Sequence, residues 1–201
     1  MAIKRYIANA DTTITNAFMP DLKTRGTGSN MGESDISEVF SIYGQQASSS
    51  VELSRVLTKF PIDKVITDRN NNDIPASGSV DFYLRLYNAK HSSTLPSNYT
   101  LVVAAVSQSW EEGKGLDMED YSYKTYEGTG ANWINASSGS AWATVGGKYH
   151  ASPRFTQTFS GGDEDLEIDI THLVENWIDG ENDGEGGANG GSDWRKLNYG
   201  V

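Results

Sequence analysis

Toward its C-terminal end the chain switches from a two-residue to a helical hydrophobic period. Leu166, Ile168 and Ile170 alternate with Asp165, Glu167 and Asp169, as in a strand with one face buried and one in water. Leu173, Val174, Trp177 and Ile178 then fall on one stripe of a helix predicted over 171–179, with Thr171 placed to cap it and Gly180 to end it. The two-residue period also marks 80–89, where Val80, Phe82, Leu84 and Leu86 share one face and Asp81, Tyr83, Arg85 and Tyr87 the other. Thr12, Ile14 and 16–18 predict a first strand. Residues 39–44 and 53–60, rich in β-branched and aromatic side chains, predict a hairpin across 45–50. Residues 99–110 and 155–159 complete the strands, while 23–37 and 68–79 carry the Gly, Ser, Asn and Asp of loops. The long Gly- and aromatic-rich excursion 111–148 is expected to hold short elements of its own. The pattern is all-β, one β-sandwich domain over 1–201 with a single short helix.

Composition narrows the function. Twenty-one glycines in 201 residues suit many short strands joined by turns. The net charge of −11 repels a nucleic-acid backbone, and no basic cluster offsets it. The absence of Cys removes disulfides, thiolate metal sites and a Cys nucleophile. No apolar run reaches the ~18 residues of a membrane span, and the first residues lack the apolar core of a secretion signal. Neither a membrane nor a nucleic acid is therefore expected as a partner, and assembly in a cytoplasm is.

Candidate chemistry is sparse. Glu111, Glu112, Asp117, Glu119 and Asp120 could supply a hydrolase pair, but neighbours on a strand point to opposite faces, so no enzyme is expected. His91, His150 and His172 lack metal-ligand spacing. Eleven carboxylates and no Lys or Arg lie between Gly161 and Asp193. Within the acidic glycine-rich loop read over 179–193, Asp179, Glu181, Asp183 and Glu185 stand at alternate positions and offer oxygens to calcium, the one cofactor the sequence admits. Asp68, Asn70, Asn72 and Asp73 form a similar set; a solvated loop is the competing reading of both. Tyr121, Tyr123, Tyr126 and Tyr149 are candidates for contact with a protein or a sugar, while Trp133 and Trp142 are expected to pack the excursion onto the fold.

The order of motifs resembles the DNRLRE-type β-sandwich domains of cell-surface and phage structural proteins. The resemblance is carried by Asp11-Thr-Thr-Ile, Asn30-Met-Gly, Ser54-Arg-Val-Leu-Thr-Lys-Phe-Pro-Ile-Asp and Phe82-Tyr-Leu-Arg-Leu-Tyr-Asn-Ala. It continues through Val106-Ser-Gln-Ser-Trp-Glu-Glu-Gly, Gly130-Ala-Asn-Trp and Ile168-Asp-Ile-Thr-His-Leu-Val-Glu-Asn-Trp, and so covers nearly the whole chain. It implies a jelly-roll sandwich and a non-catalytic role in a virion, as a capsid, tail, baseplate or fibre component bound to other virion proteins or to copies of itself. The wording Thr24-Arg-Gly-Thr-Gly-Ser-Asn-Met-Gly is closest to structural proteins of tailed, marine bacteriophages. A carbohydrate- or receptor-binding module of a fibre or adhesin is the alternative. Domains of this family continue past the strand that ends in Asn-Tyr-Gly, whereas this sequence stops at Val201. Leu197, Asn198, Tyr199 and Val201 are accordingly expected to form an open assembly edge, or to run on into further chain.

Overall fold

The computed structural model describes residues 3–43, 51–90, 95–116, 129–182 and 197–201, with the backbone alone for Glu181 and Asn182. In chain order the elements are β1 (Ala10–Thr15), β2 (Ser41–Tyr43), β3 (Val51–Lys59), α1 (Ile62–Asn70), β4 (Tyr83–Leu86), β5 (Tyr99–Val106), β6 (Asn135–Ser137), β7 (Ser140–Ala141), β8 (Tyr149–Phe159), β9 (Leu166–Asp169) and α2 (Thr171–Asn182). Among the described residues the fold is mainly β with two short helices. The described residues divide into two compact units, one from Met1–Ile7, Pro61–Ala105 and His150–Asn198, the other from Ala8–Phe60, Val106–Tyr149 and Tyr199–Val201.

In the second unit β3 is the middle strand. It pairs antiparallel with β1, from Ala10 opposite Lys59 to Thr15 opposite Ser54, and with β2, from Ser41 opposite Leu53 to Tyr43 opposite Val51. The last four residues of β1, Thr12 to Thr15, are all buried, so both faces are covered despite three hydroxyls. Each hydroxyl finds backbone: Thr12 Oγ1 accepts from Met31 N at 3.2 Å, Thr13 Oγ1 from Glu38 N at 3.1 Å, and Thr15 Oγ1 donates to Leu53 O at 2.9 Å. Threonine thus stands where a buried polar group is satisfied and the β-branched backbone preference is kept. Ile14, Leu57, Val106, Ala131, Trp133, Ala136 and Trp142 form the core, with Leu53, Trp110 and Tyr199 packed against it. The two Trp residues of the excursion are therefore core, and β6 and β7 are the short elements within it.

In the first unit β4 and β9 pair antiparallel, with Leu84 opposite Ile168, and β5 pairs with β8. Tyr99 and Phe159 stack with ring centroids 4.9 Å apart. Helix α2 buries Leu173, Val174, Trp177 and Ile178, the predicted stripe. Its ends differ from expectation. Thr171 Oγ1 accepts from Phe82 N at 2.7 Å and so ties the helix start to the chain before β4, while Asp169 Oδ1 accepts from Thr171 N at 2.9 Å. At the other end the helix runs through the buried Gly180 to Asn182, because glycine weakens a helix without stopping one whose stripe is packed.

The expectation of one helix is also corrected: α1 is a second. Ile62 and Val65 lie three residues apart on its buried side, and this 3.6-residue period competes with the β propensity of Ile and Val. The run Asn70-Asn-Asn-Asp is consequently a helix end, with Asn72 in the left-handed region at φ 63°.

Candidate functional site

The residues with the most specific surroundings lie where three of the resemblance motifs converge. The Asn30 side chain is buried, and its amide donates to Glu112 O and Ala131 O, both at 2.7 Å. Its Oδ1 accepts from Gly115 N at 2.8 Å and Gly32 N at 3.2 Å. Both protons and both lone pairs are used, the full capacity of an amide. A Cβ at Gly113 or Gly115 would overlap Asn30, so the chain after Trp110 approaches only because those positions have no side chain. The node fixes three loops and leaves no group for a ligand.

The carboxylates after Trp110 are likewise occupied. Glu112 Oε1 accepts from Asp11 N at 2.8 Å and Glu111 Oε2 from Ser138 N at 3.1 Å, so each fastens a different segment. A surface depression lined by Arg85, Tyr87, Asp165, Leu166 and Glu167 encloses about 50 Å³, well under the ~300 Å³ of small ligand pockets. Arg85 and Glu167 pair across it at 2.5 Å.

Among the predicted cation ligands, Asp179 is exposed on α2 and Glu181 lies on helical backbone, whereas Asp183 and Glu185 fall outside the described residues. The helix thus replaces loop at positions 179 and 181. In the second acidic set, Asp68 is held by Lys4 Nζ at 2.7 Å and Tyr6 OH at 2.8 Å. Those contacts, Lys4 first, lower the Asp68 pKa; the Asp68 bond raises that of Lys4, and burial followed by Asp68 raises that of Tyr6. The described residues hold no group of three or more His, Asp or Glu arranged for a metal.

Tyr121, Tyr123 and Tyr126 also lie outside the described residues. Tyr149 is half-exposed, and Arg55 sits between its ring and that of Trp133 with the guanidinium carbon 5.3 and 5.1 Å from the centroids. Arg55 Nη1 also donates to Gly146 O. The guanidinium fixes Tyr149 from one side.

The C-terminal residues are engaged within the chain. Val201 N donates to Thr58 O at 2.9 Å and Val201 O accepts from Thr58 N at 2.7 Å, the reciprocal pair of an antiparallel ladder. Gly200 O accepts from Val106 N at 2.9 Å, and Tyr199 O from Trp110 Nε1 at 2.6 Å. Leu197 stays exposed and Asn198 partly so. The open edge expected at these residues is, for Tyr199 to Val201, a filled one: the tail completes the ladder beside β3.

An edge that the sequence did not single out is β2. Ser54 Oγ donates to Glu38 O at 2.8 Å and accepts from Phe40 N at 2.7 Å, clipping the approach to β2 onto β3. The apolar side chains of β2 and of the residues leading into it remain outside: Ile36 is 52%, Val39 50%, Ile42 40% and Tyr43 75% exposed. Within the described residues β2 pairs with β3 alone. From sequence alone 23–37 is a loop and 39–44 part of a hairpin, with an exposed face assigned to neither.

Among the described residues no helix is long and apolar enough to cross a membrane. Comparison with family models, curated proteins and solved structures finds no match to this chain.

Proposed function

We propose that the chain is a non-catalytic building block of a phage virion, assembling through protein contacts with other virion proteins or with copies of itself. The observation that carries this reading is the set of exposed apolar side chains Ile36, Val39 and Ile42 on and just before β2. Exposed apolar side chains of this kind are what chain association buries. The finer fold belonging to this reading is a jelly-roll β-sandwich of DNRLRE type. Its support is that Asn30-Met-Gly, Glu112-Gly and Gly130-Ala meet in one hydrogen-bonded node, so motifs far apart in sequence act as joints of one fold.

Negative-stain imaging of particles carrying a label on this protein tests the reading. Label at regular positions on capsid, tail, baseplate or fibre supports it. Label found only on unassembled protein overturns it, and binding on a glycan array would favour a saccharide-binding module instead.

A further inference from the structure

Within the first unit β9 has one edge paired to a strand and the other closed by a side chain. Ile170 N donates to Phe82 O at 2.9 Å, so Leu166, Ile168 and Ile170 turn their backbone groups toward β4, and Asp165 and Glu167 turn theirs away. Among the described residues β9 pairs with β4 and with no other strand. The groups turned away are taken by Gln157 of β8, whose Nε2 donates to Asp165 O at 2.9 Å and whose Oε1 accepts from Glu167 N at 2.7 Å. A carbonyl and the N–H two residues further on are the pair that one residue of an added parallel strand engages. A glutamine amide presents the same donor and acceptor as a peptide group, so this one side chain stands in for a strand.

Gln157 reaches the edge from a strand that is fastened elsewhere. β8 pairs with β5, where the hydroxyls of Thr100 and Thr158 meet at 3.0 Å and Tyr99 stacks on Phe159. On its other side β9 is tied to β4 by the Arg85–Glu167 pair and by Asn88 N, which donates to Asp165 Oδ1 at 2.8 Å. The edge is thus held extended by contacts that do not involve Gln157. Asp165 and Glu167 are exposed, and an extended edge with free N–H and C=O groups is a template for another chain. Their carboxylates also oppose an acidic neighbour, but salt screens that repulsion and leaves the amide bonds in place.

We propose that Gln157 guards the β9 edge, its amide filling the two backbone groups through which an extended strand of a second copy would add. The guard keeps copies apart at this strand and is independent of the apolar residues around β2 on which the assembly reading rests.

Gln157→Leu keeps the bulk of the side chain and removes both bonds. Sedimentation velocity in about 1 M salt, where charges are screened beyond about 3 Å, reads the consequence. The variant should associate at least about tenfold more tightly than the unaltered chain, a ratio that one or two backbone hydrogen bonds supply. Hydrogen exchange locates the contact: the Glu167 amide, protected in the unaltered chain, should exchange rapidly in the dilute variant and regain protection when it associates. Adding Glu167→Pro removes that N–H without removing a bond to β4 and should abolish the gain, while adding Ile42→Lys should leave it intact. Gln157→Thr, which suits a strand and is too short to reach β9, takes its place if Gln157→Leu does not fold. A folded variant that associates no more than its parent, association that leaves the Glu167 amide exchanging freely, or a gain that survives Glu167→Pro each overturns the proposal. So does loss of folding in both variants, since the amide then holds the unit together rather than guarding it. A gain lost with Ile42→Lys places the contact at β2, which overturns the guard and leaves the assembly reading standing.

Discussion

Arg69 and Glu175 meet as a two-pronged pair, Nη1 to Oε2 at 2.6 Å and Nη2 to Oε1 at 2.7 Å, joining α1 to α2. Both side chains are nearly buried, and the Glu175 bond raises the Arg69 pKa. Removing one partner strands the other charge. Glu175→Ala should lower stability by about 3 kcal/mol, read as a shift in urea midpoint. The double replacement Arg69→Met with Glu175→Leu should recover most of that loss, because no unpaired charge remains. A Glu175→Ala chain as stable as the unaltered protein would show the pair to be idle.

Asn30→Asp keeps the shape of the side chain and reverses one end of its hydrogen bonding. An oxygen would then face the carbonyl oxygens of Glu112 and Ala131, where a nitrogen now donates to both. The expected cost is about 3 kcal/mol or more at neutral pH, seen in chemical denaturation. A loss under about 0.5 kcal/mol would mean that the loops hold together without the amide.

Glu164 closes its own loop. Its carboxylate accepts from Gly161 N at 2.8 Å, Ser160 N at 2.9 Å and Gly162 N at 2.7 Å, and these bonds, Gly161 foremost, hold its pKa at about 2 against the ordinary 4.5. A depressed folded value means that its contribution is complete above about 4.5 and fades as the pH falls toward 2. Glu164→Gln should therefore melt below the unaltered chain at pH 7, with the gap closing between pH 4.5 and 2. A gap independent of pH would point to a cause other than the ionised carboxylate.

Ile42→Lys places a charge on the exposed edge strand without touching the buried core. Its melting temperature should stay close to that of the parent, while self-association in sedimentation velocity should weaken by tenfold or more, roughly the 1.4 kcal/mol or so carried by one buried side chain. Equal association of the two proteins would remove β2 from the assembly surface.

Where packing followed a regular period, the sequence was legible. The alternation at 166–170 became β9, and the stripe at Leu173, Val174, Trp177 and Ile178 became the buried side of α2. The hairpin of β2 and β3 was readable from its apolar density. Helix α1 was not, since Ile62, Val65 and Ile66 favour strands intrinsically and only their 3.6-residue spacing argues otherwise. The span 80–89 shortened to Tyr83–Leu86, because β9 supplies only four partners. The Asn30 node and the filled groove at Tyr199–Val201 were invisible for a different reason. Their partners are set by tertiary contact, and one asparagine or a Tyr-Gly pair carries no local pattern.

The bonds of Asn30 reach across 82, 85 and 101 residues of chain. Each closes a large loop and so carries a large loop-closure entropy, which favours its forming late on the route to the native state. Interactions absent from the folding transition state act on the unfolding rate rather than the folding rate. A protein clasped in this way gains its lifetime from the last contacts it makes.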